Sequence, residues 1–140
     1  MPTQLELTNM ARRAQTLTAA ETAVVALAED SGETVVYAAA AGKYADAIAG
    51  KRSQAATSGL CGAVFASGQA ELVCQTEGDI RVRQDLAEAL GITTALAAPI
   101  TRDGVLLGAL MVLNRADGSA FDEAARLELI RYAAAIAPVL

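Results

Sequence analysis

The sequence predicts an α+β domain: a central antiparallel β-sheet with its N- and C-terminal helices on one face. Three observations carry that expectation. Apolar residues recur at helical spacing near both ends of the chain, β-branched and apolar runs fill the interior, and an Asp-Gly turn joins the two longest of those runs. Helix, two strands, a mixed connection, two strands and helix is an order that suits a layered sheet-and-helix architecture.

Each element has its own signal. Leu7, Met10, Ala14 and Leu17 follow one another at intervals of three and four residues, the stripe of an amphipathic helix, with Arg12, Arg13 and Gln15 off it. Glu21 to Ala28 and Thr34 to Gly42 read as strands around the turn residues Glu29-Asp30-Ser31-Gly32. The alanines from 38 to 41 favour helix, but the β-branched entry Thr34-Val35-Val36 and the preceding turn favour a hairpin. Lys43 to Ile48 reads as a helical turn, and Gly50 to Gly59 as a polar loop. Ala63 to Ser67 is a short helix closed by Gly68, and Glu71 to Cys74 a short strand. Thr76 to Ile80 is a loop, and Arg83 to Leu90 a helix stopped by Gly91. Thr93 to Ile100 and Val105 to Leu113 form a hairpin through Asp103-Gly104, where glycine accepts positive φ. Leu127, Ile130, Ala134 and Ala137 repeat the helical stripe, and Ser119 or Asp122 can cap that helix. The expected organisation is one domain, residues 1–140. An N-terminal helix spans 1–20, the sheet region 21–121, and a C-terminal helix 122–140.

Composition narrows the chemistry. With 140 residues, 54% of them hydrophobic, the chain has enough apolar surface to offset its conformational entropy, which excludes a disordered tail. The longest apolar stretch, Val105 to Leu113, has nine residues, far short of the roughly twenty that span a bilayer. The first residues carry neither a basic cluster nor an apolar core, so no signal peptide is expected and the cytoplasm is the expected compartment. The net charge of −5 argues against nucleic acid as a partner. The chain has no histidine, hence no imidazole base or ligand. Its two cysteines, Cys61 and Cys74, cannot complete a thiolate–imidazole zinc site, and their separation forms no CxxC motif. No metal or cofactor is expected.

A run of local patterns resembles one known family. Ser58-Gly59-Leu60-Cys61-Gly62-Ala63-Val64-Phe65 followed by Ser67-Gly68-Gln69 looks like a Gly-rich entry into a short pocket helix. Glu71-Leu72-Val73, Asp79-Ile80-Arg81, Ala95 to Ile100 with Pro99, Asp103-Gly104 and Leu107-Gly108-Ala109-Leu110 follow in order. Asn114 and Phe121-Asp122-Glu123 close the run. In order and spacing these resemble the GAF domain. The resemblance implies an antiparallel sheet of about six strands with a ligand-type pocket on one face and the terminal helices on the other. It also implies a sensory role for small molecules, redox state or light, and frequent homodimerisation.

The candidate site follows from that frame and from the usual anatomy of small-molecule pockets, apolar walls with a few polar groups. Leu60, Cys61, Phe65, Val73, Ile80, Leu90, Ile92 and Met111 are the expected lining, with Tyr37, Tyr44 and Arg83 at its polar ends. Asp79 and Arg81 are candidates for the rim. The resemblance also offers other roles. Gly59-Leu60-Cys61-Gly62 is similar to a segment of family members that are free methionine-(R)-sulfoxide reductases, although the downstream Cys and His of those enzymes have no counterpart here. Bilin-bearing members tether pigment beside a Cys-His pair, which this chain lacks. Asn114-Arg115 and Phe121 partly match members that bind cyclic nucleotides, while Asp122-Glu123 follows Phe121 directly instead of after a spacer.

The leading expectation is a non-catalytic regulatory module of a bacterial signalling system. It senses an unknown small molecule in an apolar pocket, pairs through its terminal helices and acts on an output domain or partner protein. One alternative is a thiol-dependent reductase or redox sensor using Cys61; another is a dimerisation module whose pocket is filled by its own side chains.

Overall fold

The structure, a computed structural model, describes residues 2–140. Helix α1 (Gln4–Thr18) opens with Thr3, whose side-chain oxygen accepts a hydrogen bond from the Glu6 N–H, the usual repair for an unpaired first-turn donor. Strands β1 (Ala20–Glu29) and β2 (Thr34–Gly42) form the first hairpin. The connection carries α2 (Ala45–Ile48), β3 (Arg52–Gln54), α3 (Leu60–Ser67), β4 (Glu71–Val73) and α4 (Gln84–Leu90). Strands β5 (Ala95–Arg102) and β6 (Val105–Arg115) form the second hairpin, and α5 (Glu123–Ile136) follows. Asp122 caps α5, accepting from the Ala125 N–H at 2.9 Å.

The six strands form one antiparallel sheet in the order β3-β2-β1-β6-β5-β4. The segment expected as a polar loop from Gly50 to Gly59 thus contains an edge strand, β3. Its three residues, Arg52-Ser53-Gln54, carry no apolar alternation, and only pairing with Thr34 to Val36 reveals them.

Alternate residues of the sheet serve two different cores. Ala23, Val25, Leu96, Ala98, Leu110 and Val112 meet α1 and α5 on one face. Ala26, Ala95, Ala97, Ala109 and Leu113 meet α3 and its neighbours on the other. Strand β2 breaks the alternation. Val35 and Tyr37 belong to the second face, yet Ala39 and Ala41 belong to the first. The cause is a bulge: Val25 pairs with Ala39 and Ala26 with Tyr37, leaving Ala38 as an extra residue. The Ala38 carbonyl accepts from Gln4 Nε2 at 2.7 Å, so the irregular peptide is tied to the first turn of α1.

The alanines of β1 and β2 explain the helix contact. Ala11 and Ala14 of α1 share a core with Ala23, Ala39 and Ala41, and these small side chains let helix and sheet approach closely. The buried stripe of α1 is therefore Leu7, Ala11, Ala14 and Thr18, with Met10 at its flank and Leu17 only partly covered. The same shift occurs in α5. Ala125, Leu129, Ala133 and Ile136 are buried, whereas Leu127, expected on the core stripe, is 44% exposed and Ala134 faces outward.

Two substitutions test this packing by urea unfolding. A Cβ at Gly108 would collide with the Ala26 carbonyl oxygen of β1, so Gly108→Ala is expected to destabilise by about 1–3 kcal/mol. Leu129→Ala removes a fully buried side chain and is expected to cost about 2–5 kcal/mol. An unchanged midpoint for either variant contradicts the account.

Candidate functional site

The face opposite α1 and α5 is covered by short elements, and they leave a cavity of about 460 Å³. Its floor is sheet: Tyr37 on β2, Ala95 on β5, Met111 and Leu113 on β6. One side is α2 and β3, with Ala47, Ile48, Lys51, Arg52 and Ser53. Ser58, Gly59 and Leu60 form the entry to α3, and Val82, Arg83, Leu86, Ala87, Leu90 and Ile92 form the α4 side. A space of this size with mainly apolar walls is typical of small-molecule sites, which hold about 300–1,000 Å³.

The structure gathers Leu60, Leu90, Ile92, Met111, Tyr37 and Arg83 around this cavity. The other five expected residues stand elsewhere. Cys61 is buried in the packed layer and Phe65 is partly buried against it, because α3 turns that side toward β5 and β6, while Val73 is buried in the same layer from β4, paired with Ala95 of β5. Ile80 is fully exposed, held in a turn whose two neighbours are clamped to each other. Tyr44 is 41% exposed at a left-handed position before α2, with the Lys43 ammonium 5.2 Å from its ring centroid. Sequence reasoning missed the α2–β3 wall. The mixed signals of Ala47, Ile48, Lys51 and Ser53 gain meaning only once β3 is placed at the sheet edge.

The polar groups of the cavity are hydroxyls and cations. The Ser53 and Ser58 hydroxyls are hydrogen-bonded to each other, and Ser58 Oγ also donates to the Gln54 carbonyl at 2.7 Å. Burial raises the Tyr37 phenol above its ordinary range and nearby Cys61 adds to this, while hydrogen bonds with Ser53 and Ser58 and the Arg83 charge oppose it. The phenol therefore remains a donor at neutral pH. Arg83 Nη2 donates to Asp85 at 2.9 Å, and Arg52 pairs with Glu29.

Cys61 is a poor nucleophile in this setting. Its thiol is fully buried, 3.7 Å from the Met111 sulfur, and burial pushes its pKa up to about 12. Sulfoxide reduction and disulfide exchange need the thiolate. Cys74 is free and exposed, with its sulfur 3.8 Å from the Phe121 carbonyl oxygen. Among the described residues, no group of three or more His, Cys, Asp or Glu side chains is placed to hold a metal ion.

Two motifs with candidate binding roles are occupied by structural work. Arg81 grips Asp79 through Nε at 3.0 Å and Nη2 at 2.7 Å, and reaches Glu71 at 3.1 Å and the Leu72 carbonyl at 3.3 Å. This clamp fixes the turn that carries Val82 and Arg83 to the cavity. Asn114, at φ 58°, accepts from the Thr93 N–H at 2.7 Å and donates to the Gly91 carbonyl at 2.9 Å, locking the end of β6 to the entry of β5. Arg115 lies 5.9 Å from the Phe121 ring centroid and 3.5 Å from Asp122, at the corner leading into α5.

Thiol labelling of the native protein is expected to modify Cys74 alone, with Cys61 reacting only after denaturation. Equal rates at both positions contradict the burial. The Arg81 guanidinium holds the Asp79 carboxyl below its ordinary range. That pair therefore adds stability above the unfolded carboxyl value of about 4 and loses it as pH falls through the lower folded value. The thermal midpoint is expected to fall over that acid range, and Arg81→Gln is expected to flatten the fall.

No curated protein matches the sequence. Among solved structures, the GAF domain of an Acinetobacter phosphoenolpyruvate-protein phosphotransferase is 18% identical, with a TM-score of 0.81 over 97% of this chain and 80% of that one. Free methionine-R-sulfoxide reductase from Neisseria meningitidis, solved with its substrate, is 20% identical, with a TM-score of 0.78 over 96% and 75%. The second GAF domain of DevS from Mycobacterium smegmatis is 18% identical, with a TM-score of 0.76 over 95% and 88%. At these identities the likeness is one of fold. A family profile described as GAF domain matches residues 6–140, and the chain belongs to the GAF domain family.

Proposed function

We propose that this chain is a non-catalytic, small-molecule-sensing module of a signalling system. The observation that carries the reading is the cavity: about 460 Å³, mainly apolar, with hydroxyl and cationic groups on its wall. No thiol or carboxylate lines it, and the chain contains no imidazole, so it offers binding without an evident nucleophile or general base. The similarity to a methionine sulfoxide reductase does not carry that activity here, because Cys61 is buried and protonated. The open volume also weighs against a pocket filled by its own side chains.

Occupancy acts on the elements around the cavity. Ligand favours one arrangement of α2, β3 and α4, and the sheet transmits it to α1 and α5 on the opposite face. These helices are the proposed homodimer contact. Leu127 and Ala134 stand outward on α5, and Ile130, half-buried against the core, lies between them. The readout passes to a partner or output domain. Among the described residues no helix is long and apolar enough to cross a membrane, and we place the module in the cytoplasm.

Native mass spectrometry is expected to show a dimer, and a retained small molecule or a metabolite-induced thermal shift. A ligand at a hundredfold excess over its dissociation constant stabilises by about 2.7 kcal/mol. No retained or added compound altering stability overturns the sensing role. Sedimentation as a monomer at high micromolar concentration overturns the dimer, and Leu127→Asp is expected to produce that monomer.

A further inference from the structure

The chain carries a net charge of −5, yet the cavity is lined by three cations, Lys51, Arg52 and Arg83, and by no Asp or Glu. Two of these cations are answered from outside the cavity. Arg52 pairs with Glu29, and Arg83 gives one of its five N–H donors to Asp85. Lys51 makes no ion pair among the described residues. The cavity wall therefore keeps about one uncompensated positive charge, beside the linked Ser53 and Ser58 hydroxyls and the Tyr37 phenol.

The rest of the wall is apolar. Leu60, Ile92 and Leu113 approach from three different elements and offer no partner to a second charged end. A Cβ at Gly59 would stand 3.2 Å from Arg83 Cγ, so the glycine gives the arginine stem room against the entry to α3.

We propose that the cavity binds a compact organic monocarboxylate, its head against Lys51 and Arg83 with the hydroxyls, and its hydrocarbon part on Leu60, Ile92 and Leu113. This rests on the reading of the cavity as a ligand site and adds the ligand class. The charge count favours a monoanion over a phosphate ester, because two of the three cations are already paired. Cation–carboxylate hydrogen bonds fix the head, and burial of the tail supplies most of the affinity.

The test compares three probes of one shape by amide chemical-shift titration: 3-phenylpropanoate, 3-phenylpropanamide and 3-phenylpropylamine, at equal ionic strength. The carboxylate is expected to shift the amides of Leu60, Ile92 and Leu113 and to bind about tenfold more tightly than the amide. The variant carrying Lys51→Gln and Arg83→Gln, at exposed positions outside both cores, is expected to keep the amide dispersion of the folded protein and to lose the preference, the carboxylate then binding no more tightly than the amide. Amide or amine binding in the cavity as tight as the carboxylate overturns the ligand class and leaves the ligand site standing. Carboxylate shifts confined to the outer surface, or no cavity shift with any probe, overturn the proposal. In that case the retained-ligand measurement decides separately whether the cavity is a site.

Discussion

The pairing of β1 with β6 is the constraint on which the molecule turns. It joins the first hairpin to the last, with Ala20 opposite Arg115 and Leu27 opposite Gly108. Closing so long a loop costs entropy that only the sheet and its two cores return. Because the two hairpins meet at the centre, the chain between them must travel from β2 at one side of the sheet to β5 at the other. It does so across one face, while α1 and α5 occupy the opposite one. Two long helices fill their face. Short helices and a three-residue strand cover theirs incompletely, and the hollow is what remains.

That division explains how much of the molecule is legible in its sequence. Periodicity locates both terminal helices, and Asp103-Gly104 locates the second hairpin, since these signals are local. The buried side of α1 and α5 is less legible. Apolar residues on these helices fit more than one stripe, and packing on the sheet selects the one that buries Ala11 and Ala133 beside Leu7 and Leu129 while Leu127 lies out. Strand β3 is illegible because edge pairing, not hydrophobic pattern, defines it. Around the cavity, Tyr37, Met111 and Leu90 stand on regular elements, whose local pattern makes their placement legible. Ile80 stands away from the cavity and fully exposed, because the Asp79–Arg81 clamp decides which way its turn faces.

The same clamp shows why a polar cluster near a pocket need not belong to it. Arg81 has donors on two carboxylates and a carbonyl, leaving little to offer a ligand. Arg83, two residues on, has one carboxylate partner and stands on the cavity wall. Cys61 gives the parallel case among apolar groups. Its neighbours fit a reactive-thiol pattern in sequence, yet its contact with the Met111 sulfur makes it part of the wall's support.

The bulge in β2 has a mechanical consequence. Tyr37 and Ala38 are consecutive, but the phenol reaches the cavity while the Ala38 carbonyl is moored to Gln4 at the start of α1. Here a single peptide unit separates the two. The floor of the hollow and the mooring of α1 are thus neighbours along the chain, one peptide plane apart through the thickness of the sheet.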